Sequence, residues 1–237
     1  MDSARRPLSP PSVRRGISMS SLWPSMLLSM RVALVSTLFV ALIGVPLAYF
    51  MGRRRFRGKS VFEGLLIVPL VLPPTVAGYF ILVLFGAHGW VGGWLYRAFG
   101  YSILFNWHGA VVASAIVSLP LLYLPARAAF AEIDREMEDL SRLMGANALQ
   151  TFWHVSLPLA RRGIASGLLL AFARGLGEFG ATVMVMGDVE GRQTLPIYIY
   201  DQWVSGELRR AAPAVLILSF ISLLLVLLYN RTIRQSP

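Results

Sequence analysis

Five long apolar runs constrain this chain more than anything else in it. They cover residues 32–51, 64–86, 109–126, 163–187 and 211–230, and four of them hold no charge; the fourth in order holds Arg174 and Glu178. A helix needs roughly 20 apolar residues to cross the hydrocarbon core of a bilayer. That core has no water for unpaired backbone groups, so only helices and closed barrels span it. A barrel would show segments of about ten residues with alternating polarity, and the runs do not alternate. The chain reads as an all-α polytopic membrane protein with five transmembrane helices. Composition agrees: 14% of the 237 residues are charged and 56% are hydrophobic, where a soluble domain carries about 25% charged residues.

The net charge is +10. In a soluble protein this would point to nucleic acid. Here the excess of arginine in one set of loops follows the positive-inside rule, so no nucleic-acid partner is expected. Residues 52–60, 131–163 and the C-terminal tail hold eleven basic residues, against four in 87–105 and 188–210. The first set therefore faces the cytoplasm. With no cysteine, disulfides and thiolate metal sites are excluded. His88, His108 and His154 are scattered without metal-ligand spacing, so neither metal nor cofactor is expected.

The N-terminus departs from this pattern. Five spans place it outside, yet it carries Arg5, Arg6, Arg14 and Arg15. Three explanations compete: residues 17–30 form a sixth, partial span; the tail is a tolerated exception; or translation begins at Met19. We favour the third. Residues 1–18 then read as a disordered, basic Pro/Ser/Arg-rich tail, and 19–237 as the membrane domain.

Several local patterns bear on function. Ser60-Val61-Phe62-Glu63 has the form of a capping box at the start of the second span. Gly58-Lys59-Ser60 ends like a phosphate-binding loop, but position 53 is Arg where that motif needs Gly, and a membrane helix, not a strand, precedes it. The second span is interrupted by Pro69, Pro73, Pro74 and Gly78. Broken helices at membrane depth occur where freed carbonyls are buried in protein or line a wet cavity. The interruption is therefore either a kink for packing or a lining element, with Thr75 offering a hydroxyl. In the fourth span Arg174 and Glu178 share one helix face as a self-neutralising pair, and Gly175, Gly177 and Gly180 permit close helix contact. Pro73, Pro74, Thr75, Gly78, Glu178, Gly180 and Thr182 are the candidates for a translocation path. The aromatic-rich 87–105 loop suits a helix at the membrane surface, and Arg127 is placed to snorkel at the end of the third span. Residues 187–203 read as an external gate or protein contact.

Residues 131–163 are the longest internal loop and hold five of the chain's twelve acids. They predict two short amphipathic helices hinged at Gly145, one presenting Met137, Leu140 and Met144, the other Leu149, Phe152 and Trp153. A helix that binds the anionic leaflet carries a basic polar face. This one is acidic, so a protein socket is the better partner.

This loop resembles the cytoplasmic signature of the permeases of binding-protein-dependent ABC importers: Glu-Ala-Ala, three residues, Gly, nine residues, Ile, one residue, Leu-Pro. Gly145 is followed at that spacing by Val155-Ser156-Leu157-Pro158. The Glu-Ala-Ala positions hold Asp139-Leu140-Ser141, which keeps the charge and enlarges the second residue. Val68-Pro69-Leu70-Val71-Leu72-Pro73-Pro74 and the stretches 172–187 and 191–200 resemble the molybdate branch of the family. The resemblance implies the type I importer permease fold with a cytoplasmic coupling helix. It implies a subunit of the bacterial cytoplasmic membrane, not itself an enzyme, working as two copies with two ATPase subunits and an extracytoplasmic molybdate-binding protein. Asp139, Leu140, Ser141, Gly145, Phe152, Trp153, Leu157 and Pro158 are its expected ATPase-coupling residues. The alternatives are a tungstate or sulfate permease of the same family or, in a different class, a stand-alone secondary anion transporter. The last would usually show internal repeats, which are not evident.

Overall fold

The computed structural model describes residues 22–187 and 193–234. All regular structure among them is helical. The 1–18 tail and its start site lie outside the described residues, as do residues 188–192 of the external stretch.

The first helix, α1 (Leu22–Arg53), is 32 residues long. Residues 22–30 are its opening turns, so among the described residues they form no separate sixth span. Its buried side is a stripe of mostly small residues, Ser25, Ser29, Ala33, Ser36, Gly44 and Ala48 among them. In lipid the hydrophobic effect does not drive helix association, so close packing through small residues does. The stripe meets α5 (Trp107–Glu132) and α8 (Leu157–Leu176), the three helices that form the centre of the bundle. Ser36 and Ser114 bridge hydroxyl to hydroxyl at 2.9 Å between α1 and α5. A Cβ on Gly167 of α8 would stand 2.9 Å from the Leu122 carbonyl oxygen, so α5 and α8 touch backbone to backbone there.

The second apolar run is neither one straight span nor a mild kink. It forms α2 (Lys59–Val71) and α3 (Pro74–Phe85), bent by 115° at the break. The break is local chemistry. Pro73 lacks an N–H, Pro74 takes the first helical position of α3, and Leu72 turns extended while its N–H still reaches the Val68 carbonyl. The capping box does not form. Gly58 precedes α2 at φ +87° and no side chain caps the helix. Glu63 instead reaches α5, where it pairs with Arg127 at 2.6 Å and accepts from the Tyr123 hydroxyl at 3.0 Å. Arg127 is therefore tied to an acid rather than snorkelling. Lys59 donates to the Met51 and Arg54 carbonyls, which engages the ammonium that a phosphate loop would need free.

After α4 (Trp90–Phe99), an aromatic helix with Trp90, Trp94 and Phe99 exposed, the chain enters α5. The fourth run is also corrected. It begins earlier than its apolar boundary and stops sooner. The short α6 (Arg135–Leu143) is followed by α7 (Ala148–Thr151), which continues through a π turn at Phe152–Ser156 directly into α8. The second arm of the predicted helix pair is thus the root of a spanning helix of 29 residues, 148–176. α8 ends at Gly177, and α9 (Gly180–Met186) starts after Glu178 and Phe179. α10 (Leu195–Val204) packs between α1 and α11 (Leu208–Arg234). In all, four described helices have spanning length, and the bent pair makes a fifth crossing if it counts as one.

Candidate functional site

Two regions collect the predicted site residues. The first is a seam where the half-helices α3 and α9 lie against each other. Each begins just after a break, one made by prolines and one by glycine. A Cβ on Gly180 would sit 2.7 Å from the Pro74 Cβ, and one on Gly78 would sit 2.8 Å from the Met184 Cβ and 3.0 Å from the Ala181 Cα. Side chains at these two positions would force the half-helices apart.

The seam brings the path candidates together but does not give them equal exposure. Pro73, Pro74 and Thr75 are exposed at the break; Gly180 is half-buried; Gly78 and Thr182 are buried in the contact. Glu178 is buried as well, at 2% exposure. One of its carboxylate oxygens accepts the Ala181 N–H at 2.8 Å, and the other pairs with the Arg174 guanidinium. The carboxylate therefore caps α9 and neutralises Arg174 together. Neither the helix end nor the guanidinium is left to hold an anion tightly.

An aromatic row beside the seam escaped the sequence reading. Phe179, Tyr200 and Trp203 lie in series, their rings tilted to one another, with centroids 5.1 and 5.8 Å apart. With Pro196 and Ile199 they line a shallow apolar cleft of about 260 Å³. The signal was the spacing of Tyr200 and Trp203 on one helix face; the third ring comes from another element.

The second region is the elbow formed by α6, the turn at Gly145 and α7. Asp134 caps α6 by accepting the Glu136 N–H at 3.1 Å. Gly145 has φ +92°, the left-handed conformation that ends α6 and that a side chain would strain. Asn147 and Gln150 then form a reciprocal capping box that starts α7. Met137, Leu140, Met144, Leu149 and Trp153 are all exposed, and so is Leu143, at 83%. Leu143 was not among the predicted residues; it lies three positions after Leu140, so helical spacing was enough to find it.

Phe152 does not belong to this exposed face. Its ring lies 4.9 Å from Tyr49 and 6.3 Å from Phe130, inside the cluster where α1, α5 and α8 meet. Leu157 joins the same cluster, and Pro158 opens α8. Ser141 bonds the Thr151 hydroxyl at 3.3 Å, closing the elbow on itself. Asp139 stays in solvent, 3.8 Å from Arg142. The acid that the fold engages is its neighbour Glu138, paired with Arg53 at the end of α1 at 2.8 Å. No group of acids, histidines and cysteines among the described residues is arranged to hold a metal ion.

The family profile of the binding-protein-dependent transport system inner membrane component matches residues 44–235. The molybdenum transport system permease protein ModB of Haemophilus influenzae is 40% identical over 203 residues, which are 84% of this chain and 89% of that protein. A putative molybdenum transport system permease protein of Bacillus subtilis, YvgM, is 39% identical over 211 residues, 89% of this chain and 93% of that one. In fold, the chain resembles the inward-facing MetNI methionine ABC transporter with a TM-score of 0.70 at 17% identity, over 93% of this chain and 98% of that one.

Proposed function

This chain belongs to the family of binding-protein-dependent transport system inner membrane components, and from that premise we propose that it is the membrane subunit of an ATP-driven molybdate importer. It works in the bacterial cytoplasmic membrane and makes or breaks no covalent bond. The observation that carries the substrate is its 40% identity to a molybdenum permease across 84% of the chain.

The division of labour follows from the two regions. The elbow's exposed Leu140, Leu143, Met144 and Leu149 form an apolar plug on the arginine-rich side of the molecule. An apolar helix face with acidic flanks is suited to a groove in a soluble partner, here the ATPase subunit, present in two copies. Gly145 sets the bend of the plug, and Asp139, Ser141 and Trp153 border it. Phe152 and Leu157 anchor its root in the bundle, and Pro158 starts α8 beside them. Two copies of the chain bring two α3–α9 seams to one path, with Pro73, Pro74, Thr75 and Gly180 along it. An extracytoplasmic binding protein delivers the dianion, and the pore alternates between outward-open and inward-open forms. Because Arg174 is already neutralised, the path does not trap a doubly charged oxyanion on its way through.

The test is uptake of isotopically labelled molybdate by vesicles carrying this chain with its ATPase and binding protein. Uptake should require ATP hydrolysis and should be displaced by tungstate more readily than by sulfate. Uphill transport by the chain alone, without nucleotide, would refute the reading.

A further inference from the structure

Glu138 stands apart from the other acids of the elbow. Glu132, Asp134, Glu136 and Asp139 are exposed, whereas Glu138 is 5% exposed. Its two oxygens take partners from different elements. Oε2 lies 2.8 Å from Arg53 Nη2 and accepts from Arg53 Nε at 3.2 Å. Oε1 accepts the Ser156 hydroxyl, in the π turn, at 2.7 Å. Arg53 in turn donates to the carbonyls of Ile133 at 2.6 Å and Phe130 at 3.4 Å, at the end of α5. One ion pair thus joins the last residue of α1, the last turn of α5, the middle of α6 and the root of α8.

The same elbow has a joint at each end. The chain leaves α5 through the extended residues Ile133 and Asp134, and leaves α6 through Gly145 at φ +92°. Between these joints α6 packs against α7 and the π turn, the root of the 148–176 helix, with no comparably extensive contact to α1 or α5. Among the described residues, the Arg53–Glu138 ion pair ties α6 to α1, beside a longer bond from Arg135 to the Arg53 carbonyl at 3.4 Å. The packing on the π turn and the Ser141–Thr151 bond hold α6 to the root of α8, but a force applied to Leu143 or Met144 would reach α1 and α5 only if something held α6 to them as well. A buried, charge-assisted, multiply bonded pair has a narrow geometric optimum, so it is suited to that task.

We infer that Arg53 and Glu138, with Ser156, are positioning residues that make the elbow move as one body with α1, α5 and α8. Motion of a docked ATPase then reaches the bundle. This rests on the functional reading above; it adds the residues through which the stroke is transmitted.

Two measurements test it. In vesicles with the complete transporter, Glu138→Gln and Arg53→Gln should keep the ATPase bound while molybdate imported per ATP hydrolysed falls at least about fivefold. The exchanged pair R53E/E138R should recover only part of that loss, because a carboxylate at position 53 cannot donate to the Ile133 and Phe130 carbonyls. The second measurement does not depend on the solute. The chain has no cysteine, so spin labels on Leu143→Cys and Leu42→Cys report the distance from elbow to α1. That distribution should be narrow in the otherwise unaltered chain and broad with Glu138→Gln. An unchanged distribution, an unchanged import ratio or loss of ATPase binding in the single variants would overturn the inference. A complex that moves no molybdate yet shows the broadening would instead count against the proposed substrate. If the single variants do not reach the membrane, Ser156→Ala, which removes one bond to Glu138, carries the test: a broader distribution supports the inference and an unchanged one overturns it.

Discussion

Among the described residues, two acid–base pairs with a buried carboxylate differ in reach. Arg174 and Glu178 are four residues apart, at the break between α8 and α9. Arg53 and Glu138 are 85 positions apart and bring four elements to one point. The chemistry is the same and the consequence differs. The local pair cancels charge beside the α3–α9 seam, the proposed path, and organises little beyond the start of α9. The distant pair lies at the root of the elbow, where it fixes the geometry between four elements. Burying an ion pair is weak evidence for stability in itself, so what the two pairs contribute is read better from what they connect.

This contrast can be tested by breaking each region in turn. The largest effect is expected from Glu178→Ala, which strands Arg174 inside the bundle. It should cost about 3 kcal/mol, seen as a lower unfolding midpoint of the purified chain, and the double variant R174A/E178A should recover most of the loss. A double variant no better than the single one would erase the distinction, because the pair would then be structural beyond its own charges. Next, Leu143→Glu combined with Met144→Glu should weaken ATPase binding by about 2–3 kcal/mol, or roughly 30- to 150-fold in Kd. The unfolding midpoint should not move, since both side chains are exposed. Gly78→Val should destabilise by about 2 kcal/mol through overpacking against Ala181 and Met184. It should also slow uptake while ATPase binding persists in a pull-down. The smallest effect belongs to Asp139→Asn. Its exposed contact with Arg142 spans 3.8 Å, so stability should stay within about 0.5 kcal/mol. A large effect there would move the importance of the elbow's acids from Glu138 back to the position that the family signature singles out.

How much of this was legible in the sequence follows the range of the interactions. Hydrocarbon thickness sets run length, so the spans could be read directly. Proline sterics act within one turn, so the break at Leu72-Pro73 could be read too, though not its angle of 115°. Arg174 and Glu178 are i,i+4 neighbours on a helix, and Gly145 announced a bend. The hidden features depend on residues far apart in the chain. Glu63 looked like a cap because its nearest candidates were local, yet its partners, Tyr123 and Arg127, lie on α5. Five acids of the 131–163 loop looked alike, and packing alone separates Glu138 from the rest. Phe152 fitted an amphipathic stripe at α-helical spacing, and the π turn that begins at this residue departs from that spacing. The end of α8 was masked because Gly177, Glu178 and Phe179 lie within an otherwise apolar run.

That π turn also sets an angle. Each residue of an α-helix advances the face by about 100°, so the extra residue held in Phe152–Ser156 acts as a phase offset between the buried shaft and the part that projects from it. Removing one residue there would leave every exposed apolar side chain of the elbow present and turn that face by about a quarter-turn. The compass bearing of the elbow is therefore fixed by a residue count, a quantity that substitutions leave alone and a single in-frame deletion resets.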